Sequence, residues 1–263
     1  MASWWAGLQR WRERRILERR AIPDALWAQT LERYPFLTLP DPDEAGRLRA
    51  LTTLFLARKE FHGARGLEIT DEMAVCIAAQ ACLPVLNLGL DHYDGFVGIV
   101  VHADQVVARR SVIAEDGVPH HYQEELAGEA MEGGPVMLSW QDVADAGDTA
   151  EVGYNVVVHE FAHVLDMLDG QSDGMPPLPN RAMHDRWSAV FSAEYEAFCA
   201  DVDNGVDTLL DPYASEGPDE FFAVACEVFF VSPDDLRRNH PAVYELLATY
   251  FRQDPSSRFG RRR

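Results

Sequence analysis

His159-Glu160-Phe161-Ala162-His163 gathers residue types that could do hydrolytic chemistry. On a helix, side chains four apart share a face, so the two imidazoles would project together and could reach one zinc ion. Glu160, beside the first imidazole, is placed to hold a water on that zinc and to take its proton as general base. The metal's part would be to bring the water's pKa towards ~7 and to polarise a carbonyl oxygen. The pattern alone is a weak signal, since a chain with nine histidines in 263 residues meets it by chance about a few times in a hundred. Its surroundings strengthen it. Val156, Val157, Val158, Phe161, Val164, Leu165 and Leu168 make the segment apolar around the motif, hence buried. Two buried imidazoles and a buried carboxylate need partners, and a metal site supplies them.

A catalytic zinc takes three protein ligands and keeps one position open. Two residues compete for the third place. Asp169 stands six residues after His163, the offset of the extended pattern HExxHxxGxxH/D. That pattern needs a glycine three residues after the second histidine, where the chain turns out of the helix; here the residue is Asp166, and the turn signal waits until Gly170. Glu220, 57 residues after His163, lies in the first turn of a second apolar helix, Pro218-Asp219-Glu220-Phe221-Phe222-Ala223-Val224-Ala225-Cys226-Glu227. A carboxylate facing the motif from a second helix is the gluzincin arrangement, and the absence of glycine at 166 favours Glu220. Asp166 shares a face with His163 and could orient that imidazole, or could cap or solvate the helix. Glu227 reads either as inward-facing on the same helix as Glu220 or as an exposed carboxylate. His120 and His121 read as surface, and His62, His92, His102, His184 and His240 show no ligand spacing.

The elements that must position these residues follow from periodicity and punctuation. Residues 4–20 read as an amphipathic helix with Trp4, Leu8 and Trp11 on one stripe and arginines elsewhere, expected to dock on the body. Further helices are expected at 24–33, 43–61 and 70–81, the last opening on Thr70-Asp71-Glu72. Residues 95–102 and 136–140 read as strands, and 106–113 with 118–123 as a hairpin about the Asp116-Gly117 turn. The chain then turns helical, at 153–168, 183–200, 218–230 and 241–251, with a surface loop at 171–180. A small central sheet among many helices is an α+β arrangement.

Charge bounds the partners. With 23 Lys+Arg against 43 Asp+Glu the net is −20, which argues against a nucleic-acid-binding body because such binding rests on a basic surface. The ends run the other way: residues 1–20 and 252–263 each carry +4, which leaves −28 between them, and such ends are expected to fold back onto the acidic body. Arg10 arrives before any apolar signal-peptide core, no stretch reaches the ~18–20 apolar residues of a membrane span, and Cys76, Cys82, Cys199 and Cys226 form no CxxC pair. Together these lead to the expectation of a cytoplasmic protein with reduced thiols.

Beyond the motif, the chain resembles the Mlc titration factor A family of zinc-dependent peptidases. The resemblance runs through Leu67-Glu-Ile-Thr-Asp-Glu-Met73, Ala78-Ala-Gln-Ala-Cys-Leu-Pro84, Tyr93-Asp-Gly-Phe96, Gly128-Glu-Ala130, Gly134-Pro135, Leu138-Ser-Trp140, the histidine motif with Leu165-Asp-Met-Leu-Asp-Gly170, Gly174-Met-Pro-Pro-Leu178 and Glu220-Phe-Phe-Ala-Val224, over roughly residues 58–253. Members of that family resemble the catalytic domain of anthrax lethal factor, where a tyrosine also lies seven residues before the ligand glutamate. The resemblance implies a zincin-like (gluzincin) fold, mostly helical with a small central sheet, and one Zn²⁺ held by His159, His163 and Glu220. It implies Glu160 as base and Tyr213 as oxyanion stabiliser. It further implies aminopeptidase-type activity on a peptide substrate and binding of an Mlc-like DNA-binding transcriptional repressor of sugar uptake. The division expected is an N-terminal helical region at 1–57, a catalytic domain at 58–253 and a basic tail at 254–263.

Overall fold

The structure is a computed structural model that describes residues 2–104, 106–113, 119–126, 128–130, 133–146 and 153–258. In chain order its elements are α1 (Ala2–Arg19), α2 (Asp24–Arg33), α3 (Pro42–Arg58), β1 (Glu60–Gly63), α4 (Asp71–Cys82), β2 (Gly98–His102), β3 (Val106–Ile113), β4 (Pro119–Leu126), β5 (Gly128–Ala130), β6 (Val136–Ser139), α5 (Trp140–Asp145), α6 (Val156–Asp166), α7 (Arg181–Asp203), α8 (Pro218–Val231), α9 (Pro233–Asn239), α10 (Pro241–Phe251) and α11 (Pro255–Arg258). Side-chain caps fix several helix starts by satisfying first-turn N–H groups. Thr70 accepts from the Met73 amide at 3.2 Å, Asn155 from Val158 at 2.9 Å and Asn180 from Met183 at 3.0 Å. Proline occupies the first position of α3, α8, α9 and α10, where its missing donor costs nothing.

One sheet has the order β1-β2-β6-β5, the first three strands parallel and β5 antiparallel at the edge. Ile99, Val101, Val136 and Leu138 are fully buried in it. Against the sheet, Phe161 of α6 sits in an aromatic box, its centroid 5.0 Å from that of Tyr93 and 5.8 Å from those of Phe55 and Phe96. A second cluster joins α7 to α8, with Phe221 5.1 Å from Phe191 and 5.4 Å from Phe198. Phe161 follows Glu160 and Phe221 follows Glu220, so each helix that carries a candidate site residue is anchored by the ring next to it.

The hairpin pairs β3 with β4 antiparallel from Val106↔Leu126 to Ile113↔Pro119, as the sequence leads one to expect, while its turn lies outside the described residues. Three expectations are corrected. The helix expected at 43–61 ends at Arg58, and residues 60–63 pair in parallel with β2 instead. The apolar Phe61 mimics a further helical turn, but the Lys59 ammonium binds the Tyr93 and Phe96 carbonyls and draws the chain out into the sheet. The strand expected from 95 begins only at Gly98. Trp140, expected to close a strand, opens α5, because Ser139 caps the Asp142 amide at 3.3 Å. The short strand β5 carries no recognisable strand signal of its own, whereas α9 opens on Pro233-Asp234-Asp235, a helix start signal that the expected elements do not include.

Both ends touch the body where they are described: Arg258 meets Glu44 at 3.5 Å with the expected polarity, whereas the N-terminal contact is the reverse, Glu13 of α1 meeting the body's Arg58 at 2.7 Å. Residues 259–263 lie outside the described residues. All four cysteines are free, three of them buried. Among the described residues no helix is long and apolar enough to cross a membrane.

Candidate metal centre

His159 and His163 are one turn apart on α6, and α8 crosses so that Glu220, in its first turn, faces both. The Nε2 atoms of the two imidazoles are 3.2 Å apart, and Glu220 Oε2 stands 3.1 Å from His159 Nε2 and 3.4 Å from His163 Nε2. Three atoms bonded at about 2.0–2.1 Å to one tetrahedral zinc lie about 3.3 Å from each other, so the triangle fits such an ion. Glu220 Oε2 is buried and meets no group in hydrogen-bond geometry, so its lone pair is left for a cation. This trio is the group among the described residues able to hold a metal. Asp169, the rival third ligand, takes no part in it: it is exposed in the turn Met167–Asp169, with its Oδ1 accepting from the Gln171 amide at 3.1 Å.

Behind the trio runs a buried polar chain. His159 Nδ1 is 2.8 Å from Glu227 Oε1, and Glu227 Oε2 accepts the Asn155 amide. The Asn155 side chain caps α6 with its oxygen and donates its Nδ2 to Gln80 Oε1 of α4 at 2.7 Å. Glu227 is thus the inward-facing residue, and its carboxylate fixes the tautomer and the plane of His159, leaving Nε2 to face the trio. Seven residues after Glu220 means two turns along the same face, a spacing that allows the inward position without deciding it. Asp166 fits neither expectation. It is fully buried, with Oδ2 accepting the Gly174 amide at 2.9 Å and Oδ1 without a partner.

Glu160 is 4% exposed, and its Oε2 has no hydrogen-bond partner among the described residues. Burial lifts its carboxyl to about 7 among the protein groups alone, against the pull of His159 and His163. For Glu220 burial also raises, but the two imidazoles outweigh it and hold the carboxyl well below the usual range. Space for Glu160 comes from Gly128 on β5: a Cβ there would stand 2.4–2.6 Å from the Glu160 carboxylate and its Cγ. No sequence signal marks Gly128 for this.

A cleft of about 170 Å³ opens over the trio, lined also by Gly128, Ala130, Met167, Ser172, Tyr213 and Asp219. Tyr213 stands on its wall, 37% exposed, its ring centroid 6.2 Å from that of His159. The turn that carries it is capped by Asp211, which accepts the Tyr213 amide at 2.9 Å, and is tied to α7 by the Tyr195 hydroxyl on Ser215 at 3.1 Å. The other described histidines lie apart; His240 pairs with Glu194 at 3.1 Å and His62 with Glu60 at 3.6 Å. The side chains of His120 and His121 lie outside the described residues.

Comparison with known proteins agrees with this chemistry. The family model of glucose-regulated metallo-peptidase M90 matches residues 8–252. An uncharacterised protein of Synechocystis sp. is 35% identical over 93% of this chain and 89% of its own length. Mlc titration factor A of Yersinia pestis is 34% identical over 90% of this chain and 87% of its own length. A metallopeptidase family implies a metal ion, and the donor trio lies within the matched span. On these matches the chain belongs to the glucose-regulated metallo-peptidase M90 family, to which the Mlc titration factor A proteins it resembles are related.

Proposed function

We propose that the protein is a zinc-dependent metallopeptidase with a zincin-like (gluzincin) catalytic unit at 58–253. In it His159, His163 and Glu220 hold the zinc, Glu160 is the general base and Tyr213 is the oxyanion donor. The observation that carries this is the convergence of three donor atoms at 3.1–3.4 Å beside a buried carboxylate. When bound, zinc lowers the pKa of a water towards ~7 and polarises the substrate carbonyl. Glu160 takes the proton of the attacking water and passes it to the leaving amine, its Oε2 having no hydrogen-bond partner among the described residues to compete for that proton. Tyr213 donates to the oxygen that gains charge. Gly128 and Ala130 belong to β5, the sheet edge, along which an extended peptide can add as a further strand.

Aminopeptidase-type action is the resemblance's implication. Among the described residues the cleft carries Asp219 and no lysine or arginine, which suits a substrate's free amine better than its carboxylate. A second role, binding a DNA-binding repressor of sugar uptake in the cytoplasm, rests on the resemblance and on the name of the Yersinia relatives. The net charge of −20 favours a basic partner.

Zinc analysis paired with peptide hydrolysis tests the reading. Glu160→Gln should keep zinc and lose hydrolysis, and Tyr213→Phe should lower kcat by about 10²–10³ with zinc and fold intact. Hydrolysis persisting in Glu160→Gln would overturn the assignment of the base. Repressor binding should survive Glu160→Gln and weaken as salt rises; its loss together with hydrolysis would mean that the partner enters the cleft like a substrate.

A further inference from the structure

Met167 forms a wall of the cleft and also of a second recess, of about 60 Å³, beside it. The rest of its lining includes the apolar Phe96, Val136, Val164 and Leu168, together with His92 and Gly95. Val164 follows His163 directly, and Met167 lies one helical turn beyond, so the recess adjoins the candidate ligand helix.

Its rear wall is fixed in advance. The Phe96 ring lies 5.8 Å from Phe161 and 6.1 Å from Tyr93, and the Lys59 ammonium sits 3.7 Å from its centroid. Lys59, the only lysine in the chain, also binds the Phe96 and Tyr93 carbonyls. Phe96 is thereby tied to the residue at the centre of the histidine motif. The apolar lining also reaches solvent: Leu168 is 39% exposed. An exposed apolar side chain standing alone means little, but one that lines a mainly apolar recess beside the cleft marks a surface for a ligand. At Gly95 a Cβ would meet nothing within 4 Å, so a larger side chain can be placed at this lining position without a backbone clash.

We propose that this recess receives an aliphatic side chain of the peptide residue next to the bond to be cleaved, and so sets the substrate preference. The proposal rests on the metallopeptidase reading for the bond, but not for the pocket. Its small volume favours valine or leucine over tryptophan, and its lining is mainly apolar, with the His92 imidazole as the ionisable side chain among the lining residues. One methylene more or less in such a pocket is worth about 10–200-fold in kcat/KM.

The experiment uses peptides that differ only at the residue beside the scissile bond, carrying leucine, valine, glycine, aspartate or lysine. Hydrolysis is followed with zinc-loaded wild type, and affinity is measured by calorimetry with zinc-loaded Glu160→Gln. Leucine and valine peptides should lead the others by at least about tenfold in both. Gly95→Leu, placed in the Glu160→Gln background, should weaken leucine peptides by about tenfold and leave the glycine peptide unchanged. Leu168→Asp, at an exposed position that should not disturb folding, should shift the preference towards lysine. Equal affinities across the series, or a ranking untouched by both substitutions, would overturn the recess while leaving the hydrolase reading intact. The expected ranking in affinity with no hydrolysis by wild type would support the recess and overturn the hydrolase reading instead.

Discussion

At the N-terminal end of α6, Glu227 is buried with both oxygens engaged, one on His159 Nδ1 and one on the Asn155 amide. At the C-terminal end, Asp166 is buried more completely still, yet one oxygen takes the Gly174 amide and the other has nothing. The two carboxylates lie on helices in contact, and the difference between them is one of task. A buried polar atom left unpaired costs about 1–3 kcal/mol, so full pairing at Glu227 stabilises the end where an imidazole plane must be held. At Asp166 the helix passes through the Met167–Asp169 turn to Gly170, in the left-handed conformation at φ 88°, and the chain must leave the cleft floor. Gly174, at φ 75°, completes that exit: its carbonyl takes the Trp187 indole N–H at 3.0 Å, and a Cβ on it would strike the Pro218 carbonyl at 2.3 Å. The well-paired end holds chemistry in place, and the under-paired end accommodates a close backbone approach that seats α8.

The comparison is broken most severely by disturbing Glu160 from outside. Gly128→Ala would put a methyl 2.4 Å from its Oε1, so the carboxylate must move, and the three atoms nearest that methyl all belong to Glu160. A displacement of about 1 Å at a reacting group can cost about 10²-fold. Gly128→Ala should therefore lower kcat by at least about 10²-fold with zinc content near wild type, read by single-turnover hydrolysis and metal analysis. Full turnover would mean that Glu160 tolerates another rotamer and is not fixed by β5.

A smaller effect separates the two ends directly. Glu227→Ala removes the partner of His159 Nδ1, and loss of such a partner costs about 10–100-fold in metal affinity. Glu227→Gln keeps an oxygen for the imidazole N–H and should recover part of the loss. Asp166→Ala, acting on no described imidazole nitrogen, should change zinc affinity by less than about threefold. Competition with a chelator measures all three. Equal losses at Glu227 and Asp166 would abolish the distinction.

The pair of ligand-bearing helices was legible from sequence because their signals are local. The apolar run around the histidine motif marks α6, although the start expected at 153 lies three residues too early. Pro218 at a first helical position marks the start of α8, and the missing glycine at 166 turns attention from Asp169 to Glu220. The β3–β4 hairpin was legible from Asp116-Gly117. What was not legible depends on distant partners. Strand β1 exists only through pairing with β2, Glu60 to Gly98 and onward, and Phe61 alone could not announce it. Gly128 looks like any glycine until Glu160 is seen against it. Glu227 could be placed on the face of Glu220 by spacing, but its imidazole is 68 residues away, so spacing left inward and exposed readings equal.

The smallest effect concerns pH and the unpaired oxygen of Asp166. Burial raises this carboxyl to about 6, partly offset by the Gly174 amide, with Asp173 and Asp219 adding to the rise and His163 opposing it. In the unfolded chain it titrates near ~3.9. Between these values the folded protein holds a proton that the unfolded chain has lost, so the contribution of Asp166 to stability is fully present below about 4 and is lost as pH rises through about 6. An amide in place of this carboxyl would have no charge to desolvate, and its oxygen could still accept the Gly174 N–H. Asp166→Asn should thus gain on wild type as pH rises from about 4 to about 7, by on the order of 1 kcal/mol after relaxation, and stay level above. Urea unfolding of both proteins at several pH values, at equal zinc loading, measures the difference. A gap independent of pH would mean that Asp166 is ionised throughout and paired, and the two ends of α6 would then be alike.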